Sequence, residues 1–427
     1  MMLNPIYLLA ELWFCISGKK QNFYKNIARE IRLYTKLRAC SKVPKKDLLL
    51  AQLVADEIYK ISETPSKEVL YVFQNSFFDL TGERYYSGGA ERYVCDLASI
   101  ARLFDLKIVL IQCGDKTAKT PWIREKEGIK VIGVNSSVKR YTSIISALPE
   151  PKFAIYSGFV YWGNVFENSL IISHGITWDG YGRNCSLVEI KSILEKFKTV
   201  ISVDTNTVSW FRSTFSKDLQ EEAKKFIVIP NYVDLEKFYP VTKNNEAPLT
   251  ILFPRRLCSE RGFDLFYSIC SRLLENFPNV RIDFVGFVHT DTIQQKLDVL
   301  MQSYEKRVSH QLVEADEMYK IYQNSDISVI PTLYSEGTSL SCLEAMASGN
   351  CVISTNVGGL PNLIISGYNG ILVNPDQKEL YDALVEVIVN HERRISLQKN
   401  ALEVVKVFSK KEWEKSWMKI FKQEISK

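Results

Sequence analysis

Histidine is scarce in this 427-residue sequence, and its nine cysteines are scattered. Only four histidines occur, His174, His289, His310 and His391, and no two are close enough in sequence to form a metal site on one helix. The cysteines include no Cys-x2-Cys pair, so neither a disulfide framework nor a zinc cluster is indicated. We therefore predict no protein-held metal and no cofactor, and we expect most cysteines to be small buried apolar residues.

The sequence also lacks an apolar run long enough to cross a membrane. Its longest apolar stretch, residues 1–17, is interrupted by Glu11 and falls short of the ~20 residues that a spanning helix needs. Lys and Arg follow this stretch instead of preceding it, which is the wrong order for a secretion signal. A cytoplasmic location is therefore the default expectation.

Positive charge is concentrated at the start of the chain. Residues 1–68 contain 12 Lys and Arg against 7 Asp and Glu, whereas the remaining residues contain 42 of each. On a helix, Lys25, Arg29, Arg32 and Lys36 would share one face, opposite an apolar face. Two interpretations stay level: a helix that packs on the main body, and one that contacts an anionic membrane surface. Nucleic-acid binding ranks last because the charge is short and local, and no nucleic-acid partner is predicted.

From residue 69 onward, short β-rich runs alternate with helical runs, which predicts parallel sheets with crossover helices. The predicted strands are Val69–Phe73, Lys107–Gln112, Lys130–Gly133, Phe153–Tyr156, Ser169–Ser173, Thr199–Val203, Phe226–Ile229, Leu249–Phe253, Val280–Val285, Asp326–Ile330, Cys351–Ser354 and Gly370–Val373. A polar, proline-bearing stretch at 244–248 is typical of a linker. We predict an α/β fold with two Rossmann-like, doubly wound domains that face a cleft.

This pattern divides the chain into four predicted segments. They are a basic helical extension at 1–68, Rossmann-like domains at 69–245 and 246–409, and a C-terminal helix at 410–427. The last helix carries Trp413, Trp417 and Phe421 at intervals of four residues, so that one face is aromatic. We expect this face to pack back on the body.

The clearest chemical signal is the segment YSEGTSLSCLEAMASG, residues 334–349. A predicted strand leads into Glu336 and Gly337, and a helix is predicted to begin near Thr338. Its first backbone amides would form an anion site favoured by the helix dipole. These amides are those of Thr338, Ser339 and Leu340. Glu336 and Glu344 are eight residues apart, so the two carboxylates can contact different ends of one elongated ligand.

Three further segments point at the same cleft. FPRRLCSERGFD follows the first strand of the second domain, so that Arg256 and Arg261 are directed at the strand ends, where forked guanidinium groups suit a diphosphate. SGGAERYV places Gly88 and Gly89 at a helix start, where the backbone can approach a phosphate or a sugar closely. SHGITWDG places His174 at the end of a strand.

Together these segments resemble family 4 of the retaining glycosyltransferases, which have the GT-B fold. IPNYVDLEKFYP and STNVGGLPNLIISGYNGILVNP add to the resemblance, and all the motifs stand in the family's order over residues 69–427. Three positions depart from the family's pattern. Arg261 stands where lysine is usual, Asn362 where glutamate is usual and Tyr232 where glycine is usual.

The resemblance implies a role for each candidate residue. Arg256 and Arg261 would bind the diphosphate of a nucleotide sugar, Glu336 the hydroxyls of the donor sugar, and Glu344 the ribose. His174 would lie beside the donor sugar and support the reacting centre, and with Glu336, Arg256 and Arg261 it forms the implied catalytic set. The other residues implied to bind the donor are Gly88, Gly89, Gly337, Thr338, Ser339, Leu340 and, near the base, Val313 and Glu314.

The resemblance further implies that 69–245 binds the acceptor and 246–409 the donor. The implied activity is metal-independent transfer, with retention, of a hexose from a UDP- or GDP-linked donor to a glycan or lipid-linked saccharide. Synthesis of bacterial surface polysaccharide such as lipopolysaccharide is the implied setting, in the cytoplasm or peripherally on the inner face of the cytoplasmic membrane. Two alternatives stay open: a nucleotide-sugar epimerase or other GT-B activity, and a catalytically silent sugar-nucleotide-binding subunit.

Overall fold

The chain divides into two compact units. A computed structural model describes residues 45–113, 121–134, 144–159, 163–176, 187–214, 222–243, 247–334 and 336–427, so the predicted basic helix lies outside the described residues. Unit 1 comprises Met1–Tyr85, Asp105–Ala154 and Tyr161–Asn168, and unit 2 comprises Tyr86–Phe104, Ile155–Val160 and Ser169–Lys427. The predicted domain boundaries stay predictions, because these units are defined by compactness and cut across the first predicted domain.

Unit 1 is built on a mainly parallel sheet. Its strands are β1 (Val69–Gln74), β2 (Lys107–Cys113), β3 (Trp122–Lys126) and β4 (Ile129–Val134). β2 pairs in parallel with β1 and β4, whereas β3 is antiparallel to β4. β1 is buried throughout and β2 is buried beyond its first residue, which explains their continuous apolar sequences.

Among the residues that the structure describes, two helices precede the first strand of unit 1. They are α1 (Lys45–Ile61) and α2 (Pro65–Glu68). In α1, Leu50, Val54 and Ile58 recur every four residues and are buried, so they form one apolar stripe. Glu57 of the same helix pairs with Lys130 of β4 at 3.2 Å. The described end of the predicted extension is therefore part of the core of unit 1.

Unit 2 contains a first group of parallel strands with helices between them. The strands are β5 (Phe153–Ser157, with Ile155 onward in this unit), β6 (Ser169–Ser173), β7 (Thr199–Ser202) and β8 (Phe226–Val228). The helices are α3 (Gly89–Arg102), α4 (Leu187–Lys196) and α5 (Thr205–Thr214). β7 pairs in parallel with both β6 and β8. α3 begins, and β6 ends, at the pocket described below.

A six-stranded sheet forms the rest of unit 2. Its strands are β9 (Leu249–Phe253), β10 (Val280–Val285), β11 (Val308–Gln311), β12 (Ile327–Ile330), β13 (Cys351–Thr355) and β14 (Ile371–Val373), in the order β11-β10-β9-β12-β13-β14 and all parallel. The strand order turns back at β9, where β10 lies on one side and β12 on the other. Ligand crevices form at such switch points, beyond the carboxyl ends of the strands.

Helices cover both faces of this sheet. They are α6 (Phe263–Asn276), α7 (Asp291–Ser303), α8 (Met318–Gln323), α9 (Leu340–Ala347), α10 (Gln377–Val389) and α11 (His391–Val404). Two buried clusters result, one centred on Phe253, Phe263 and Phe266 and the other on Leu343 and Met346. The predicted doubly wound α/β architecture is confirmed.

The C-terminal helix α12 (Lys410–Ile425) packs as its aromatic stripe predicts. Trp413, Trp417 and Phe421 are almost completely buried. The indole nitrogen of Trp417 donates to the Tyr93 hydroxyl of α3 at 2.8 Å, and the ring of Phe421 stacks on Phe104. The helix is thereby joined to the element that begins at the glycines of SGGAERYV.

The described residues bear on two predictions, the lack of a membrane-spanning helix and the burial of the cysteines. Among those residues, no helix is both long and apolar enough to cross a membrane. The six described cysteines are all free and buried, as expected of small apolar residues; they are Cys95, Cys113, Cys258, Cys270, Cys342 and Cys351.

Candidate active site

One pocket of unit 2 gathers most of the candidate residues. It has a volume of about 340 Å³ and lies where β9, β12 and β6 end and where α3 and α9 begin. Ten of the thirteen candidates line it: Gly89, His174, Arg256, Arg261, Glu336, Gly337, Thr338, Ser339, Leu340 and Glu344. Four arginines and two glutamates line it in all, which leaves a surplus of two positive charges.

A tight turn leads from β12 into α9 and forms the floor of the pocket. Gly337 is required there, because a Cβ at this position would lie 2.7 Å from Val203 Cγ2 and 2.9 Å from the carbonyl oxygen of His174. Ser339 caps the helix, accepting from the Cys342 amide at 3.4 Å. Thr338 donates to the carbonyl of Val203 at 2.7 Å. The helix therefore begins at Leu340, two residues later than predicted, with its N-terminus at the pocket.

Glu336 is the most strongly bound side chain of the pocket. Its Oε2 accepts from Arg255 and Arg261, each at 2.5 Å, and from Thr332 Oγ1 at 3.2 Å. Burial alone would raise the pKa of Glu336, but the charges of the two arginines outweigh it and lower the pKa below its usual value. Glu336 is therefore an ionised, fixed carboxylate at neutral pH.

The two predicted arginines occupy different environments. Arg261 is partly buried and paired with Glu336. Arg256 is exposed where it lines the pocket, and its side chain makes no hydrogen bond or ion pair with any described residue. Gly262 follows Arg261 at φ +80°, and a Cβ there would overlap the carbonyl of Pro331. This close approach holds the loop against the end of β12.

Glu344 lines the same pocket and has a different partner. It sits inside α9 with only 8% of its side chain exposed, and Arg92 of α3 donates to its Oε1 at 3.1 Å. Burial would lower the pKa of Arg92, but the charge of Glu344 outweighs it and raises the pKa. The Nε atom of Arg92 is buried without a hydrogen-bond partner among the described residues.

His174 follows β6 and lines the same pocket. Its Nε2 lies 3.1 Å from Ser157 Oγ, and its ring meets the ring of Tyr93 edge to face, with centroids 5.4 Å apart. Burial lowers the pKa of His174 to about 4. The imidazole is therefore neutral at physiological pH, so it can donate and accept hydrogen bonds but contributes no charge.

Three predicted residues do not line the pocket. Gly88 is the N-cap of α3, one residue before Gly89, which does line it. Val313 is half-buried against the core beside α9. Glu314 accepts from Ser87 Oγ at 3.5 Å. The structure thus places Glu314 near the start of α3, and the role of Val313 and Glu314 at a base stays a prediction.

Two of the departures from the family's pattern make specific contacts with other elements. The amide of Asn362 both accepts from the Thr205 backbone at 3.0 Å and donates to Thr205 Oγ1 at 2.6 Å. The hydroxyl of Tyr232 donates to Asp96, and its ring packs on Trp413 with centroids 4.4 Å apart. Both residues therefore join elements of unit 2.

Sequence reasoning missed two arginines of the site. Arg255 adjoins Arg256, yet it is the buried one and pairs with Glu336. Arg92 follows the glycines of SGGAERYV and pairs with Glu344. A signal existed for each, since both belong to motifs that had been singled out. What the sequence does not show is which side chain turns inward.

Among the described residues, no group of three or more His, Cys, Asp or Glu is arranged to hold a metal ion. The absence of a cofactor stays a prediction.

Another cavity, of about 460 Å³, lies in unit 1 against α1 and β3, and none of the candidate residues lines it.

The fold is GT-B, the two-domain architecture of many glycosyltransferases. Sucrose-phosphate synthase from Thermosynechococcus elongatus superposes with a TM-score of 0.69 at 17% identity, covering 84% of this chain and 100% of that one. HepE from Anabaena, solved in complex with UDP, superposes with a TM-score of 0.64 at 15% identity, covering 83% and 100%. At such identities the likeness establishes the fold alone.

Sequence comparison finds a family match in the second half of the chain. The family model for group 1 glycosyl transferases matches residues 235–404. An uncharacterised glycosyltransferase from Methanocaldococcus jannaschii is 28% identical over 268 residues, which are 61% of this chain and 70% of that protein. A D-inositol 3-phosphate glycosyltransferase from Corynebacterium aurimucosum is 37% identical over 166 residues. This chain spans 39% of the length of that relative.

Proposed function

We propose that the chain is a retaining glycosyltransferase that moves a sugar from a nucleotide-diphosphate donor to a glycan or lipid-linked saccharide. The observation that carries this proposal is the pocket in which four arginines and two glutamates surround the start of α9. The surplus of two positive charges suits a diphosphate, on which negative charge grows as the sugar departs. Arginine forks and a helix N-terminus are both strong phosphate ligands.

Each group then has a task that fits its environment. Arg256 and the first amides of α9 receive the diphosphate, because both face the pocket. Glu336, ionised and fixed, accepts from the hydroxyls of the donor sugar, and Glu344 from the ribose. His174 is neutral and supports the reacting centre by hydrogen bonding. In the proposed mechanism the leaving phosphate takes the acceptor's proton, so that no protein nucleophile is required.

Retention and metal independence are parts of the same proposal. The guanidinium groups supply positive charge where the diphosphate leaves, so transfer of a hexose is expected to continue in the presence of EDTA. Glu336 is a weak nucleophile, because the charges of two arginines lower its pKa. Because the leaving phosphate takes the acceptor's proton, the acceptor attacks the face of the sugar from which the phosphate departs. The product is therefore expected to keep the anomeric configuration of the donor.

The donor and acceptor are inferred from chemistry and from relatives. HepE was solved with UDP, which supports a UDP-linked donor, with GDP-linked sugars as the other candidate. The corynebacterial relative is named for an inositol phosphate acceptor, which supports a small or lipid-linked polyol. We propose a role in bacterial surface polysaccharide synthesis, in the cytoplasm or on the inner face of the membrane.

Contact with the membrane is assigned to the basic residues of the N-terminal segment. Lys25, Arg29, Arg32 and Lys36 would contribute about 1 kcal/mol each on an anionic surface. Their replacement by glutamine in the full chain should abolish sedimentation with anionic liposomes and leave the weak capture by neutral liposomes unchanged. Equal capture of both proteins by anionic liposomes would refute this assignment.

Release of nucleotide diphosphate from UDP-, GDP-, ADP- and dTDP-sugars tests the activity. Membrane extract serves as acceptor, with and without EDTA, beside a Glu336→Ala variant, and NMR of the product gives its anomeric configuration. Release from one donor that resists EDTA and is lost in Glu336→Ala supports the proposal. Conversion of the donor without acceptor would indicate an epimerase. Tight nucleotide binding with no release from any donor would indicate a silent subunit.

A further inference from the structure

Arg255 is a buried charge in the wall of the pocket. Only 6% of its side chain is exposed, and its two terminal nitrogens have different partners. Nη1 donates to Thr332 Oγ1, and Nη2 donates to Glu336 Oε2. Burying a guanidinium costs several kcal/mol unless a counter-charge and hydrogen bonds compensate it. The compensation here comes from the one carboxylate to which the donor sugar is assigned.

The three contacts of Glu336 all involve the same oxygen atom. Oε2 accepts from Arg255, Arg261 and Thr332, whereas Oε1 has no hydrogen-bond partner among the described residues. Because Glu336 lines the pocket, Oε1 is the atom that remains for a ligand. Thr332 also links the two side chains, since it accepts from Arg255 and donates to Glu336.

The main chain at Arg255 is held as firmly as its side chain. Gly286, which follows β10, has φ +152°, and a Cβ at that position would overlap the carbonyl of Arg255. Its neighbour Pro254 is buried, and the carbonyl of Pro254 accepts from Ser341 Oγ at 3.2 Å. Arg255 is thus anchored from β10 and from α9, and its guanidinium has little freedom to follow a ligand.

We propose that Arg255 is a positioning residue that clamps Oε2 of Glu336 and thereby presents Oε1 to the donor sugar. The proposal rests on the proposed function for the identity of that sugar, but not for the clamp itself. Arg261 and Arg255 then differ in task. Arg261 is partly exposed at the pocket and can also reach a diphosphate, whereas Arg255 serves Glu336 alone.

The kinetics of sugar transfer test whether Arg255 positions Glu336 for the donor sugar. In Arg255→Met, kcat/KM for the nucleotide sugar should fall about 100-fold, as expected when a reacting group is misplaced by about 1 Å. Binding of the nucleoside diphosphate without sugar should change less than about threefold, because Arg256 and α9 are untouched. Arg255→Lys should recover about tenfold of the loss, since it restores a charged donor. Equal losses for the nucleotide sugar and the bare diphosphate would overturn the proposal.

Unfolding by urea tests the clamp without reference to activity. Arg255→Met should lower the unfolding midpoint of the otherwise unaltered chain, because Glu336 loses a counter-charge. In a Glu336→Gln background the same substitution should leave the midpoint unchanged or raise it, because it removes a buried charge next to Arg261. An equal fall in both backgrounds would overturn the proposal. If Arg255→Met does not fold, Arg255→Lys is compared in the two backgrounds by the same criterion.

The two experiments separate the clamp from the function. If the unaltered chain transfers no sugar, the proposed function fails, and the urea comparison still decides whether Arg255 acts through Glu336. Arg393, an arginine of α11 paired with Glu386 at the surface, provides the matched control. Arg393→Met should leave both the kinetics and the midpoint nearly unchanged, because exposed ion pairs contribute little.

Discussion

His174 gives the structure's sharpest pH-dependent prediction. Burial holds its pKa at about 4 in the folded chain, against about 6.5 in the unfolded chain. As the pH falls from about 6.5 towards 4, the unfolded chain takes up a proton at this ring and the folded chain does not. The free energy of unfolding therefore falls as the pH is lowered. The stability that is fully present above pH 6.5 is lost across this window.

The magnitude follows from the two pKa values. Their difference corresponds to at most about 3 kcal/mol of stability lost by pH 4. Because the side chain of His174 is only half-buried by surface area, water screens part of this effect, and we expect about 2 kcal/mol. His174→Gln removes the titration and keeps a polar group that can reach Ser157.

Urea unfolding of both proteins at pH 7.5, 6 and 5 measures the effect. The free energy of unfolding of the unaltered chain should fall relative to that of His174→Gln as the pH is lowered. Any constant difference at pH 7.5 reports lost packing against Tyr93 and is subtracted. His391→Gln, at an exposed position of α11, is the control for the substitution itself. Parallel pH dependence of the unaltered chain and His174→Gln would refute the reasoning.

Three further substitutions probe packing, charge and the turn. Trp417→Ala should lower the free energy of unfolding by about 3–5 kcal/mol, measured with urea, because a fully buried indole is lost. Arg92→Met should cost about 2 kcal/mol by the same assay. Glu344 is then left buried without its cation, although the one-third exposure of Arg92 reduces the loss. Gly337→Ala should lower transfer about 100-fold, measured as kcat/KM, because its Cβ would push against Val203 and displace the turn.

Each of these has an outcome that contradicts it. For the helix stripe, Trp417→Phe should cost less than Trp417→Ala, because it keeps a buried aromatic ring and loses the hydrogen bond to Tyr93 and part of the packing. Equal losses for Phe and Ala would contradict burial as the cause. For the ion pair, Arg92→Met should cost much less when Glu344 is already glutamine. Additive losses would show that the two side chains do not interact. For the turn, an unchanged kcat/KM in Gly337→Ala would show that the turn tolerates a Cβ at this position.

The sequence predicted the inner strands of the fold and missed two edge strands. β1 and β2 were predictable because strands buried on both faces must be apolar nearly throughout. β3 has the sequence WIREK and is largely exposed, and β11 has the sequence VSHQ with one buried residue. Both lie at the edge of a sheet, where few side chains need to be apolar. The periodicity and composition of these two segments therefore do not predict strands.

The site was predictable where its residues belong to one local turn. Glu336, Gly337 and the start of α9 follow one strand, so the segment itself determines their proximity. The ion pair of Arg92 and Glu344 joins residues 252 positions apart, and no local pattern contains it. Between Arg255 and Arg256 the choice depends on Thr332, which receives the inward guanidinium.

The position of Arg255 bears on how one pocket can serve two kinds of ligand group. A carboxylate that accepts from sugar hydroxyls must be ionised and fixed, whereas a diphosphate needs guanidinium groups that are not fully engaged elsewhere. With Arg261 as its only counter-charge, Glu336 would lose its orientation whenever Arg261 turned towards the diphosphate. Arg255 supplies a second counter-charge from inside the wall of the pocket. The negative charge of Glu336 would therefore stay compensated when Arg261 turns towards the diphosphate. Under the proposed function, the buried arginine would allow Arg261 to bind the donor while Glu336 keeps its orientation.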